Sequence, residues 1–325
     1  MSDILLEARD LVRSFGGGRT WTGRAKPAVH AVRGVSLQVV RGETLGIVGE
    51  SGCGKSTLAR LLVGLDRPTD GRILLGGDPL FGPGRESLSV LARQVQYVFQ
   101  DPISSLNPRK TIRQILSAPL RHLRGLHGAR AEERMTALMD DVNLRPEFLD
   151  RYPHEFSGGQ AQRIGIARAL AAEPELLVLD EPVSALDVSV QAQVLALLDE
   201  LKRRFNLTYV FISHDLAVVE AVSDRVAVMY FGKVVERATS EQLLTAARHP
   251  YSRLLFDSAP VPGRRQVQAE GQAAELPDPL APPPGCAFAP RCSRALERCR
   301  TDMPEIEPGG GGHASACFNP LAGSP

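Results

Sequence analysis

A chain of 325 residues with 43% hydrophobic and 23% charged residues has apolar material for one large core or two of ordinary size. Its formal net charge of +1 gives no general pull toward nucleic acid or an anionic membrane surface. No apolar run reaches the roughly 18 residues that span a bilayer, and Met1-Ser2-Asp3-Ile4-Leu5-Leu6-Glu7 lacks the charged start and long apolar core of a signal peptide. The expectation is a cytoplasmic chain whose membrane association runs through a partner.

Residues 4–9 and 35–40 read as short strands separated by a glycine- and arginine-rich loop from Gly16 onward. Phe15 ends the first segment. An aromatic there can stack on a purine ring, a contact worth roughly 1–3 kcal/mol, or it can be a strand-end core residue. Leu45-Gly46-Ile47-Val48 reads as a buried strand and Leu58-Ala59-Arg60-Leu61-Leu62 as a helix. Between them lies Gly49-Glu50-Ser51-Gly52-Cys53-Gly54-Lys55-Ser56-Thr57. Strand, glycine-rich loop and helix in that order are the context of a phosphate-binding P-loop. The glycines let backbone N–H groups converge on phosphate oxygens, and the helix N-terminus adds partial positive charge. Lys55 would reach the β- and γ-phosphates, and the Ser56 hydroxyl would bind Mg²⁺.

Gly71-Arg72-Ile73-Leu74-Leu75 reads as a strand, as does the alternating run from Gln94 to Gln100, stopped by Asp101-Pro102. Gln100 stands where ligands bind in open α/β sheets; its amide could hold Mg²⁺ or the attacking water, or simply face solvent. Residues 103–150 change character. Segments 111–116 and 131–139 carry helical periodicity with charged opposite faces and no strand pattern between them, which reads as an inserted helical subdomain over about 103–172. It leads to Phe156-Ser157-Gly158-Gly159-Gln160 and a helical pattern from Ala161 to Ala172. Ser157 is a good N-cap, and the paired glycines make a second anion-binding helix terminus.

Leu176-Leu177-Val178-Leu179 is a fully apolar strand ending in Asp180-Glu181-Pro182. In a chain with a P-loop, Asp180 can hold Mg²⁺ through its water shell, and Glu181 can polarise the water that attacks the γ-phosphate. Ser184-Ala185-Leu186-Asp187 makes a turn before a helix near Val190. A strand over 207–212 is followed by Ser213-His214-Asp215, which places His214 at the ligand edge of the sheet. Strands at 225–229 and 233–236 and helices near 240–247 and 251–258 complete the core. No internal repeat is present, so the chain carries one nucleotide domain.

The P-loop, Gln100, Phe156 to Gln160, Asp180-Glu181, Ser184 to Asp187 and His214 resemble, in order and spacing, the motifs of ABC-transporter ATPase subunits. The resemblance covers about residues 4–258. It is closest to the ATPase subunits of dipeptide and oligopeptide importers, through the P-loop, Gln100-Asp101-Pro102 with Ser105-Leu106-Asn107-Pro108, and His249-Pro250-Tyr251 with a cysteine tail. The implied fold is an α/β P-loop NTPase (RecA-like) core with an antiparallel β subdomain, the inserted helical subdomain and a Pro/Cys-rich C-terminal extension. The resemblance also implies a head-to-tail dimer with a second ATPase subunit. Two ATP molecules lie at its interface, each held by the P-loop of one domain and Ser157 to Gln160 of the other. By the same resemblance Glu181 is the catalytic base, Gln100 senses the γ-phosphate and couples to transmembrane permease subunits, His214 contacts the γ-phosphate, and Phe15 stacks on adenine. A solute-binding protein is an indirect partner, and nucleic acid is not one.

The nucleotide domain thus spans 1–258. Residues 259–285 are a proline-rich linker, and 286–325 form a cysteine-containing extension. Cys286, Cys292, Cys299 and Cys317 have the spacing C-x5-C-x6-C-x17-C. Four thiolates suit zinc or an iron–sulfur cluster, and the paired C-x2-C knuckles of common zinc sites are missing. The tail resembles that of peptide-importer ATPase subunits, some of which carry a [4Fe–4S] cluster. Arg291, Arg294, Arg298 and Arg300 would offset the charge of such a cluster or form a solvated basic face, and Cys53 is a small filler in the P-loop. A soluble ABC ATPase of translation or DNA repair is disfavoured, because such chains carry two nucleotide domains or a long coiled coil. Import of nickel or sugars stays open beside import of peptides.

Overall fold

The computed structural model describes residues 3–17, 26–81, 88–258, 277–308 and 312–322. Residues 259–276 of the proline-rich linker and 18–25 of the loop after Gly16 lie outside them. In chain order come strands β1 (Ile4–Gly16), β2 (Ala28–Val40) and β3 (Thr44–Val48), helix α1 (Lys55–Leu62), strands β4 (Asp70–Leu75) and β5 (Asp78–Pro79), helix α2 (Leu88–Gln94) and strand β6 (Val95–Val98). Helices α3 (Ile112–Arg124), α4 (Gly128–Asp141) and α5 (Gly158–Leu170) follow. Next are β7 (Leu176–Asp180), α6 (Val188–Phe205), β8 (Thr208–Ile212), α7 (Leu216–Val222), β9 (Arg225–Tyr230) and β10 (Lys233–Thr239). Helices α8 (Ser240–Ala246), α9 (Pro250–Asp257) and α10 (Arg298–Thr301) and strands β11 (Glu307–Pro308) and β12 (Ala314–Ser315) end the series.

The chain divides into two compact units, one holding residues 82–212 with short segments near 1–3 and 39–43, the other holding 4–38, 44–81 and 213–325. In the first unit β6, β7 and β8 pair in parallel. Leu176, Leu177, Val178 and Leu179 of β7 are wholly buried, as expected for a parallel strand covered on both faces. Helix α5 packs against β6, α3 and α4. It starts at Gly158, earlier than the apolar pattern from Ala161 suggests, because Ser157 caps it through a reciprocal pair with Gln160.

In the second unit β3 and β9 pair in parallel, and β10 continues antiparallel from β9. A separate sheet has the order β2-β1-β4-β5, with β4 antiparallel to both of its neighbours. Strands β1 and β2 are longer than the alternation of the sequence implies. The β1–β4 register shifts between Arg9 and Val12, and Asp10 takes a φ of 50°; such a bulge breaks the two-residue period although pairing continues. The expected strand over 94–100 is also corrected: Gln94 ends α2, and β6 stops at Val98. The cysteine-bearing tail belongs to this second unit. Strand β12 pairs antiparallel with β10, Ala316 N–H donates to the Val235 carbonyl at 2.8 Å, and buried His313 and Glu236 meet at 2.6 Å.

Candidate functional site

In the second unit, β3 delivers the chain into the phosphate loop, with Val48 registered against Val228. The loop's glycines are set by close approach and by backbone angle. A Cβ at Gly49 would run into the Met229 carbonyl oxygen, and one at Gly54 into that of Ala31. Gly54 also caps α1 at φ 105°, a conformation costly for other residues. Lys55 is buried, and its ammonium donates to the carbonyls of Gly49 at 2.7 Å and Glu50 at 3.0 Å. Cys53 is buried beneath it, with Sγ 4.0 Å from Lys55 Nζ. Burial raises the Cys53 thiol above its usual range while the Lys55 charge pulls the other way, which fits a filler. Ser51, Gly52 and Ser56 are exposed along the loop, and Thr57 is half-buried in the first turn of α1.

Glu50 is held twice: its N–H donates to the buried Tyr251 hydroxyl at 3.0 Å, and its carboxylate accepts from Arg291 at 3.0 Å. Neither contact is legible in the sequence, where His249-Pro250-Tyr251 stands out only as a family match and Arg291 as part of a basic run. His214, in the same unit, is exposed just before α7. The preceding residue's N–H, that of Ser213, donates to the Ile47 carbonyl at 3.2 Å. Phe15 is 40% exposed, so it is not a core residue; the Arg13 guanidinium stands 4.6 Å from its ring centre.

The first unit gathers the carboxylates. Asp180, at the end of β7, is buried and accepts from the Tyr97 hydroxyl at 2.6 Å. Glu181 has a φ of 48°, sparsely populated by non-glycine residues and frequent where structure over-determines a functional position. Its carboxylate accepts from the Gln100 amide at 2.8 Å. Gln100 is exposed, yet it is engaged with the candidate base. Ser157 N–H donates to Gln160 Oε1 at 3.1 Å, and Gln160 N–H to Ser157 Oγ at 3.4 Å. A Cβ at Gly159 would collide with Val190, so that glycine lets the start of α5 approach the start of α6.

The four tail cysteines line one cavity of about 20 Å³, with His249 and Phe288 among its walls. Space of that size takes about one water. Burial raises the Cys286 and Cys292 thiols and pushes Cys317 up to about 11. Among the described residues no group of three or more His, Cys, Asp or Glu side chains is placed to hold a metal ion. Arg291 pairs with Glu50 and Arg298 lies 3.5 Å from the centre of the Phe318 ring, whereas Arg294, paired with Asn319, also pulls the Cys292 thiol downward, against burial, through its backbone N–H and its charge.

Residues 32–184 match the ABC transporter family, and residues 235–299 match the oligopeptide/dipeptide transporter C-terminal region. The chain is 49% identical, over 98% of its length and 90% of the relative's, to a probable peptide ABC transporter ATP-binding protein of Sinorhizobium fredii. This chain belongs to the ABC transporter ATPases. Another relative of this ABC ATPase is the oligopeptide transport ATP-binding protein AppF of Bacillus subtilis, 48% identical over 97% of both chains. The oligopeptide transport protein OppF of Salmonella typhimurium is 46% identical over 97% of this chain and 96% of its own. Among solved structures, the dimeric ATP-binding cassette MJ0796 bound to ADP and Pi superposes with a TM-score of 0.64 at 26% identity, covering 73% of this chain and 99% of that one. The cassette cbiO1 of Clostridium perfringens gives 0.62 at 28% identity, over 74% and 90%. The fold is that of the P-loop ATPase cassettes, and the chain is an ATPase. Among its described residues no helix is long and apolar enough to cross a membrane.

Proposed function

We propose that this ATPase powers import of di- or oligopeptides across the cytoplasmic membrane, docked on its cytoplasmic face through permease subunits. The observation that carries this reading is the match of residues 235–299 to the oligopeptide/dipeptide transporter C-terminal region, in a chain similar along its whole length to peptide-transport ATPases. The phosphate loop, Gly49 to Thr57, binds the ATP phosphates, Lys55 supplies the charge, and Phe15 stacks on the adenine. Ser56, Gln100 and Asp180 are the residues that would hold Mg²⁺. A P-loop magnesium needs no cage of side chains, since phosphates and waters fill most of its octahedron. Glu181, oriented by Gln100, takes the proton of the attacking water, and His214 contacts the γ-phosphate. Ser157 to Gln160 close on the ATP of a second ATPase subunit, so that ATP favours the closed dimer and hydrolysis releases it.

The test is co-purification of the chain with its membrane subunits, followed by peptide-stimulated ATP hydrolysis and uptake in vesicles. Stimulation by peptides, and none by nickel or sugars, is the expected result; the reverse overturns the substrate class. A solute-binding protein, supplied in the vesicle lumen or outside according to orientation, is part of that assay.

The four cysteines would hold a [4Fe–4S] cluster, with zinc as the alternative. The donor set supports a thiolate-ligated group, and the cavity must open beyond its present volume to take one. Such a cluster would cross-link the tail, and it can accept or donate an electron. Anaerobic purification with metal analysis and a visible spectrum decides the matter: brown protein with four irons supports the cluster, and colourless protein with stoichiometric zinc ends it.

A further inference from the structure

An acidic residue inside a loop that binds a polyanion is unfavourable unless a cation neutralises it. Glu50 is such a residue, and its partner comes from far along the chain. Arg291 lies at the end of a short 3₁₀ turn (Ala289–Arg291), directly before Cys292. Its guanidinium donates to Glu50 Oε2 at 3.0 Å and to the Tyr230 hydroxyl at 3.4 Å. It also stands 5.6 Å and 5.9 Å from the ring centres of Phe288 and Tyr230. The pair is largely shielded, with 20% of the Arg291 side chain and 28% of the Glu50 side chain exposed, so solvent and salt weaken it less than an ordinary surface pair.

The platform beneath it is aromatic. Tyr230, Tyr251 and Phe288 pack on one another with ring centres 4.5 Å to 5.5 Å apart. Tyr251 is fully buried, and its hydroxyl takes the Glu50 N–H. Glu50 is therefore fixed at both its amide and its carboxylate. Its carbonyl accepts from the Lys55 ammonium at 3.0 Å, so one residue connects the tail to the lysine.

We propose that Arg291 is a positioning residue for the phosphate loop, neutralising Glu50 and fixing the peptide that holds Lys55, so that the cysteine tail sets the affinity for ATP. The proposal rests on the reading of Gly49 to Thr57 as the phosphate loop. It does not depend on what, if anything, the cysteines bind.

The experiment measures the Kd of the full-length chain for a fluorescent ATP analogue, with thermal melting and thiol accessibility in parallel. Arg291→Met should weaken binding about tenfold, the scale of a hydrogen bond to a charged group. Arg291→Lys, which keeps the charge, should recover most of that loss. In a Glu50→Gln background the Arg291→Met change should cost less than twofold, because the charge it neutralises is gone. A Kd within twofold of wild type for Arg291→Met, with only melting or thiol accessibility altered, would reduce Arg291 to an anchor of the tail and overturn the proposal. So would full multiplicativity of the two substitutions. If Arg291→Met does not fold, Arg291→Gln, which also removes the charge but keeps a polar side chain, carries the same comparison alone and in the Glu50→Gln background. Lys55→Ala separates the underlying reading: unchanged ATP affinity there would discard the phosphate loop itself, whatever Arg291 does.

Discussion

The Tyr97 hydroxyl donates a 2.6 Å hydrogen bond to the buried carboxylate of Asp180. Tyr97 lies on β6 and Asp180 closes β7, and the two strands are registered side by side, with Tyr97 opposite Val178 and Val98 opposite Leu179. A carboxylate that is to orient a water shell needs a fixed angle, and a hydrogen bond from the neighbouring strand supplies one. Partners of this kind tune metal affinity although they never touch the ion.

The proposed magnesium role of Asp180 therefore predicts a specific defect for Tyr97→Phe. The ring keeps its edge contact with Phe99 at 4.6 Å, so the fold should survive, with a stability loss of about 1 kcal/mol from the missing hydrogen bond. The Mg²⁺ concentration giving half-maximal ATP hydrolysis should rise about tenfold. An unchanged magnesium dependence would detach Tyr97 from the metal.

A pH dependence follows from His249. It caps α9, its Nδ1 accepts the Tyr251 N–H at 3.1 Å, and it is 1% exposed. Burial lowers its pKa from 6.5 to about 4, so between those values the unfolded chain binds a proton that the folded chain does not. Stability should then be complete above pH 6.5 and fall progressively toward pH 4, by at most about 3 kcal/mol. His249→Asn keeps a capping side chain and removes the titration. Melting temperatures between pH 7 and 4 should decline less steeply in the variant; parallel profiles would contradict the assignment.

Motifs confined to one strand–loop–helix passage were readable because their chemistry is local. Gly54 is the cap that a loop turning into α1 requires, Ser157 pairs with Gln160 three residues on, and Leu176 to Leu179 of β7 are all apolar because both faces of the strand are covered. Features that join distant segments left no local trace. Arg291 meets Glu50 across 241 residues, and in the sequence it is one arginine among several beside cysteines. Strand β12 carries two paired residues against β10, too few for any alternation to show. The positive φ of Glu181 belongs to a residue type that seldom adopts it, and only tertiary packing imposes it. Tyr97 is one residue of an alternating run, and nothing local marks it because its partner, Asp180, lies on another strand.

The role of Glu181 as the base is the centre of the account, and Glu181→Gln tests it most directly. The amide is isosteric and can still accept from Gln100, so ATP binding should stay at the wild-type level. Turnover should fall by at least about a hundredfold, the lower range for loss of a general base, and sedimentation with Mg-ATP should show a dimer that persists in place of a transient one. Hydrolysis at the wild-type rate, with no trapped dimer, would contradict the assignment of Glu181 as the base.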